Sequence, residues 1–300
     1  MEIVKKAQFL GHNAAVYALS GFVEPNSFLS AAGDGWIVSW DLKNPDKGRL
    51  LAKTDSNIFS ILYLPTKNWF IAGNMYGALH WIDLSNGINF KSVQHHRKGV
   101  FSLFAINEKE ILSLGGDGIL TKWNIELCRA IESIVLSSKS LRAIAKHPKL
   151  DLLAVAASDS NIYLLNSQTL ELVSKIEKAH DNSVFTLCFS PDGDYLLSGG
   201  RDAYLRIRLC NQNFEELPTQ AAHLFTVNCI AYHPNGKIFA TASRDKTIRI
   251  WDSTSFALLK VIDSIRNAGH LKSVNSLLWL GETLLSCSDD QSILAWDIKV

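Results

Sequence analysis

The chain has 300 residues, 47% of them hydrophobic and 20% charged, a composition that excludes a disordered segment and describes a well-filled globular protein. Its formal net charge of +1 gives no electrostatic reason to expect nucleic acid or an anionic membrane as the main partner, and leaves room only for local patches. No apolar run approaches the roughly 18 residues of a membrane-spanning helix.

The first element is a strand over Glu2 to Phe9; its Lys5-Lys6 and the interruption by His12 and Asn13 make a poor signal peptide, so the expected location is the cytoplasm. Beyond it a pattern repeats. SAAGDGWIVSWDL around Asp34 returns as SLGGDGILTKWNI at Asp117, SGGRDAYLRIRLC at Asp202, TASRDKTIRIWDS at Asp245 and SCSDDQSILAWDI at Asp290, with fainter copies at Tyr76 and Asp159. Seven units, 41 to 45 residues apart, fill the chain, which is read as a single domain over residues 1–300. Each unit holds short β-branched and aromatic runs separated by turn residues such as Ser190-Pro191-Asp192-Gly193 and His233-Pro234-Asn235-Gly236, with no long helical period. Four short strands per unit are predicted. The last unit stops at Val300 after its third strand, and Glu2 to Phe9 belongs to no other unit, so that segment is expected to complete it and remove two open edges.

Trp40-Asp41, Trp251-Asp252 and Trp296-Asp297, together with Gly11-His12 and Gly269-His270, are where the chain resembles the WD-repeat family, over essentially its full length. The resemblance implies an all-β fold: a seven-bladed β-propeller of four-stranded blades, closed by the N-terminal strand completing the last blade. Of function it says little. The five cysteines, Cys128, Cys188, Cys210, Cys229 and Cys287, form no CxxC pair and sit mostly in apolar runs, which suits free thiols in a reducing compartment.

With Asp245 at the tip of a tight turn, the hairpin sets Thr241 opposite Trp251, and His223 arrives at the same end of the blade. A hydrogen-bonded chain from Asp245 through His223 and Thr241 to Trp251 becomes possible, and the resemblance implies this as a structural tetrad. The same roles fall to His12, Ser30, Asp34 and Trp40; to His96, Ser113, Asp117 and Trp123; and to His270, Ser286, Asp290 and Trp296. Unit five keeps His180, Ser198 and Asp202 but has Arg208 in the tryptophan position. Ser, His and Asp are also the parts of a nucleophilic triad, yet five near-copies argue for something every blade needs rather than for one strained, solvent-reachable site. Units two and four have Thr54, Ala72 and Ile82, and Ser137, Val155 and Leu165, in place of His, hydroxyl and Trp, which predicts apolar packing there. His95-His96 is a candidate metal pair, but neighbours in a strand point to opposite sides, so no metal and no other cofactor is expected. No Walker-type phosphate loop occurs, nor the adjacent arginine pair of phosphoinositide-binding propellers.

Core-type residues of the innermost strands step by three and then two, as in Val184, Leu187 and Phe189 or Val227, Ile230 and Tyr232, which predicts a β-bulge near each strand start. The extra positions are Tyr17, Phe59, Phe101, Arg142, Phe185, Asn228 and Asn275. The next ones, Ala18, Ser60, Ser102, Ala143, Thr186, Cys229 and Ser276, are small, as crowding around an axis requires. Residues preceding the turn position, among them Gly33, Met75, Gly116, Ser158, Arg201, Arg244 and Asp289, should reach the same face. Aromatics with arginines are the composition of binding hot spots. The expected function is therefore a non-catalytic scaffold that binds a protein or peptide at this mouth, with an acidic or phosphorylated segment as counterpart and without specific nucleic-acid or membrane binding. The alternative is a propeller enzyme with its site in the central channel, where the small residues supply no clustered acid or base.

Overall fold

The computed structural model describes residues 1–85 and 89–299; Val300, the end of the last sequence unit, lies outside the described residues. The seven sheets are antiparallel meanders that run through the chain in order. Blade one comprises Val16–Gly21, Ser27–Ala32, Trp36–Asp41 and Arg49–Lys53; blade two, Ile58–Leu64, Trp69–Asn74, Ala78–Asp83 and Asn89–Gln94; blade three, Val100–Ala105, Glu110–Gly115, Ile119–Asn124 and Arg129–Val135. Blade four comprises Leu141–Lys146, Leu152–Ala157, Ile162–Asn166 and Leu172–Ile176, and blade six Val227–Tyr232, Ile238–Ser243, Ile248–Asp252 and Leu258–Ile262. In blade five Val184–Phe189, Tyr195–Gly200 and Tyr204–Leu209 are followed by a fourth strand broken into Glu215–Glu216 and Gln220–Ala221; Pro218, which has no N–H for a ladder, lies in the break.

Burial follows strand rank. Second strands such as Ile238–Ser243 are buried at every residue, because both faces are covered, whereas the fourth strand Leu172–Ile176 is largely exposed. The chain falls into two compact units. In the one holding Lys6–Leu141 and Cys287–Ala295, Ile37, Ile58, Phe70 and Ile82 pack in one core and Leu79, Trp81, Val100 and Trp123 in another. In the other, which holds Arg142–Ser286, the cores are built on Ala154, Val184 and Leu196 and on Leu197, Val227, Phe239 and Trp251.

The last sheet consists of Val274–Leu280, Thr283–Ser288 and Ile293–Lys299, with Glu2–Phe9 hydrogen-bonded to Ile293–Lys299 as its fourth strand. The N-terminal strand thus completes the last blade. Its residue Phe9 is buried and meets Phe28 and Trp40 edge-on, at 5.0 and 5.6 Å between ring centroids.

The register of the two inner strands slips at Val16/Ala18, Ile58/Ser60, Val100/Ser102, Val184/Thr186 and Val227/Cys229, so the bulge is present in blades one, two, three, five and six. A second irregularity between the third and fourth strands, at Ile37/Val38, Lys122/Trp123, Leu164/Leu165 and Ile250/Trp251, was not foreseen. The residue after each turn tip has a left-handed backbone: Gly35, Gly77, Gly118, Ser160, Ala203, Lys246 and Gln291, at φ of 73, 93, 83, 73, 70, 75 and 71°.

Small inner-strand side chains do more than relieve crowding, because they hydrogen-bond the next blade. Ser20 Oγ accepts from the Tyr63 amide at 3.3 Å and Thr186 Oγ1 from the Ile230 amide at 3.1 Å, while Ser60 Oγ donates to the Val100 carbonyl at 2.9 Å. The helix Ser264–Asn267 was also not foreseen, since four residues show no period; Asp263 caps it by accepting from the amides of Ile265 and Arg266.

Candidate functional site

The strand order sets each histidine ahead of a first strand, each hydroxyl mid-way along a second and each indole along a third. In blade one His12 Nδ1 lies 3.0 Å from Asp34 Oδ2, His12 Nε2 2.7 Å from Ser30 Oγ, and Trp40 Nε1 donates to Ser30 Oγ at 2.8 Å. Blade three repeats this with His96 to Asp117 at 3.1 Å, His96 to Ser113 at 2.7 Å and Trp123 to Ser113 at 2.8 Å. In blade six His223 meets Asp245 at 2.9 Å and Thr241 at 2.8 Å, and Trp251 donates to Thr241 at 2.9 Å. In blade seven His270 Nε2 and Trp296 Nε1 meet Ser286 Oγ at 2.8 and 2.9 Å; Asp290 accepts from the Ser292 amide at its turn.

The indole can only donate, so the hydroxyl oxygen accepts and turns its own proton toward Nε2, which leaves Nδ1–H to donate to the carboxylate. His12, His96 and His223 are then neutral. Burial pushes His12, His96 and His223 below the ordinary imidazole value against the pull of the carboxylates. Burial alone would raise Asp117, Asp202 and Asp245, but hydrogen bonds from the histidines and from backbone amides together hold them below the usual carboxylate range. Ser30, Ser113 and Ser198 are fully buried. A hydroxyl enclosed this way and already accepting an N–H is not placed to attack a substrate.

Blade five makes the same junction with a cation. His180 lies 2.9 Å from both Asp202 and Ser198, and Arg208, buried in the tryptophan position, donates to Ser198 Oγ at 3.3 Å and to the Ala179 carbonyl at 2.9 Å. Its charge is met by Glu216 at 2.5 Å, a carboxylate that also takes Arg206 at 3.1 Å and the Thr219 hydroxyl at 2.6 Å. Glu216 is the ladder partner of Arg208 across the third and fourth strands; the sequence does not mark it, because blades three and six have Ala130 and Leu258 against the indole at this place. In blade two Ala72 and Ile82 are fully buried as expected, but Asn74 adds a polar junction: its Oδ1 caps the Tyr76 and Ala78 amides and its amide nitrogen lies 3.1 Å from His80 Nε2. In blade four Val155 and Leu165 are fully buried, and Asp159 accepts from the Tyr163 hydroxyl at 2.6 Å. His95 and His96 do not converge on one point: His95 Nε2 faces Thr121 Oγ1 at 3.0 Å.

The residues expected at the bulges form two clusters, one in each unit. In the first, Tyr17 meets Phe59 edge-on at 5.2 Å, and Phe59 stacks on Phe101 at 5.4 Å. The glycines before the turns make room for them: a Cβ at Gly33 would press within 3.4 Å of the Tyr17 ring and one at Gly116 within 2.9 Å of Phe101. Burial, then the nearby Asp289, raises the Tyr17 hydroxyl above its ordinary value. In the second cluster the Arg142 guanidinium lies 4.8 Å from the Phe185 ring centroid, and its Nε donates to Ser158 Oγ at 2.8 Å. Burial, and then the like charge of Arg201, lowers the Arg142 pKa. Arg201 and Arg244 are exposed, and their amides bond the Ser183 and Thr226 carbonyls just ahead of the inner strands, which sets both beside the bulges. Asn228 donates to Ser273 Oγ at 3.0 Å and to the Val274 carbonyl at 2.8 Å, and Ser273 Oγ donates to Asn275 Oδ1 at 3.1 Å. Asn228 thus ties blade six to blade seven, and Asn275 accepts from the Ser273 hydroxyl to which Asn228 donates.

Seven four-stranded sheets carrying five near-copies of one buried network define a β-propeller assembled from repeats. The sequence profile described as "WD domain, G-beta repeat" matches residues 4–41, 171–208, 214–252 and 261–297, about half of the chain, and the protein belongs to that family. The first match begins inside Glu2–Phe9, so a repeat in sequence starts with the outer strand of the preceding blade. The chain superposes on the WD40 β-propeller domain of Doa1 with a TM-score of 0.86 at 18% identity, covering 99% of this chain and 97% of that one. It is 24% identical to actin-interacting protein 1 of Caenorhabditis elegans over 96% of its own length and 47% of the relative's, so it spans about half of that protein. It is 23% identical to the mouse serine-threonine kinase receptor-associated protein, over 88% of this chain and 75% of the relative.

Proposed function

We propose that the chain is a non-catalytic scaffold that binds a partner protein or peptide through its bulge residues, and that the Arg142 cluster takes an acidic or phosphorylated side chain. One observation carries this reading. Arg142 is held over Phe185 and oriented by Ser158 with the like charge of Arg201 close enough to lower its pKa. Two cations set near each other repel, and an anion placed at both relieves that repulsion while accepting charge-assisted hydrogen bonds. The aromatic row Tyr17, Phe59 and Phe101 supplies apolar contact area for the same kind of ligand. Both relatives carry names that refer to association with other proteins, which supports the general role. A cytoplasmic site of action belongs to the same proposal and suits the free thiols.

The test is a pull-down by Arg142→Ala and Phe185→Ala variants beside an outer-strand control such as Val173→Ser, with melting curves for all. Each mouth substitution should remove on the order of 2 kcal/mol of affinity with much smaller changes in stability. If the mouth variants keep every partner while the outer-strand control loses them, the reading fails.

A further inference from the structure

The two residues that follow the tetrad-histidine position are exposed or half-buried lead-ins to the inner strands. In five blades they are largely polar: Asn13-Ala14, Asp55-Ser56, Arg97-Lys98, Ser138-Lys139 and Asp181-Asn182. Blade six has Leu224 and Phe225 there, 79% and 58% exposed, and blade seven has Leu271, 69% exposed. Large apolar side chains this open, at positions where the other blades use polar groups, have no role in the core.

The chain brings a fourth to the same end. The turn Ser243–Thr247 is bonded to the blade-six lead-in: the Leu224 amide donates to Asp245, the Ser243 hydroxyl to the Phe225 carbonyl and the Arg244 amide to the Thr226 carbonyl. Ile262, the end of the fourth strand, pairs with Ile248 just beyond that turn, so the helix Ser264–Asn267 emerges at this end with Ile265 93% exposed. Asn228 then links the blade-six lead-in to Ser273 of the blade-seven lead-in.

Cations are interleaved with these side chains. Lys246 is at the turn, Arg266 on the helix and Lys272 beside Leu271, all exposed. The carboxylates of the same segments are already engaged: Asp245 accepts from His223, Leu224 and Thr247, and Asp263 accepts from two helix amides and pairs with Arg266 at 3.6 Å. Among the described residues neither Lys246 nor Lys272 has an ion-pair partner. Apolar anchors among uncompensated positive charges are complementary to a segment in which leucine or phenylalanine alternates with aspartate or glutamate.

We infer that this end of blades six and seven is a second docking surface, separate from the Arg142 cluster, and that its occupant is an acidic amphipathic segment of a partner protein. The experiment titrates the full chain into three fluorescent peptides: one mixing glutamate with leucine and phenylalanine, one with lysine in place of glutamate, and one of glutamate and serine without apolar residues. A parallel arm uses vesicles of phosphatidylcholine with and without phosphatidylserine. The acidic apolar peptide should bind, and the doubly substituted variants Leu224→Ser with Phe225→Ser, and Lys246→Glu with Lys272→Glu, should each weaken it by about tenfold or more. Ile265→Ser, at a site too exposed to matter for folding, should weaken it as well, whereas Val173→Ser on the outer strand of blade four and Arg142→Ala should not. Equal binding of the acidic and basic peptides, unchanged affinity in the variants, or uptake by phosphatidylserine vesicles without peptide binding would each overturn the proposal.

Discussion

Glu216 Oε2 lies 2.5 Å from Arg208 Nη2, and through this pair a buried guanidinium occupies the place that an indole fills in blades one, three, six and seven. An indole satisfies the hydroxyl with one neutral N–H. A guanidinium does so only if a carboxylate comes with it.

Glu216→Ala should therefore lower stability by about 3–5 kcal/mol, the cost of stranding a buried charge. Urea unfolding measures it. Arg208→Trp in the same background should recover much of the loss by restoring the neutral junction; no recovery would mean that Glu216 supports the broken fourth strand by some other route.

His223→Ala should cost about 1–3 kcal/mol by leaving Thr241 and Asp245 without their shared partner. The pH dependence has a defined sign. Burial lowers the folded-state values of His12, His96 and His223 below 6.5, so the unfolded chain binds protons more readily, and stability present above pH 6.5 is lost as pH falls. Asp117, Asp202 and Asp245, also lowered, add a further loss below the usual carboxylate value of 3.8. Melting temperatures between pH 7 and 5 should decline less steeply in His223→Ala than in the native chain, and parallel curves would contradict the assignment of a neutral histidine.

Gly118→Ala should destabilise by about 1–3 kcal/mol, because φ is 83° and a Cβ would overlap the Ser137 carbonyl oxygen. Ala203 at φ 70° shows that a left-handed backbone alone is tolerated at this turn position, so Ala203→Gly should change stability little. Comparable effects from the two substitutions would remove the carbonyl overlap as the cause.

Removal of residues 1–10 should abolish cooperative unfolding or cause aggregation, since it bares the edge of Ile293–Lys299 and takes Phe9 away from Phe28 and Trp40. Calorimetry and light scattering report on both, and an unchanged melting temperature would show that the last blade holds with three strands.

Much of this was readable because the chain states its pattern several times. The inner-strand bulge could be inferred from Val184, Leu187 and Phe189, since a step of three inside a period of two leaves one residue over. The hydroxyl and the indole keep the same offsets from the turn in every copy, so their meeting could be read from spacing, but not its register: Thr241 pairs with Arg249 and Trp251 with Phe239, and the indole reaches the hydroxyl diagonally rather than from directly opposite. The histidine, 22 residues ahead of the turn in blade one and 21 in blade three, was implied by the family resemblance. What could not be read depends on one unit departing from the rest. Glu216 is the ladder partner of Arg208, where blades three and six set Ala130 and Leu258 against the indole, and the contact of Asn74 with His80 likewise occurs in one blade. Nor does periodicity mark exposure: Leu224 and Phe225 look like core residues until the fold shows that nothing covers them.

The bonds from Ser20 to the Tyr63 amide and from Thr186 to the Ile230 amide have a kinetic meaning. An amide held by a ladder exchanges with solvent when its own sheet frays. These two are held by a side chain of the neighbouring blade, so they open when one blade parts from the next. Deuterium uptake at Tyr63 and Ile230 is thus a direct clock for blade separation, distinct from the fraying that outer-strand amides record.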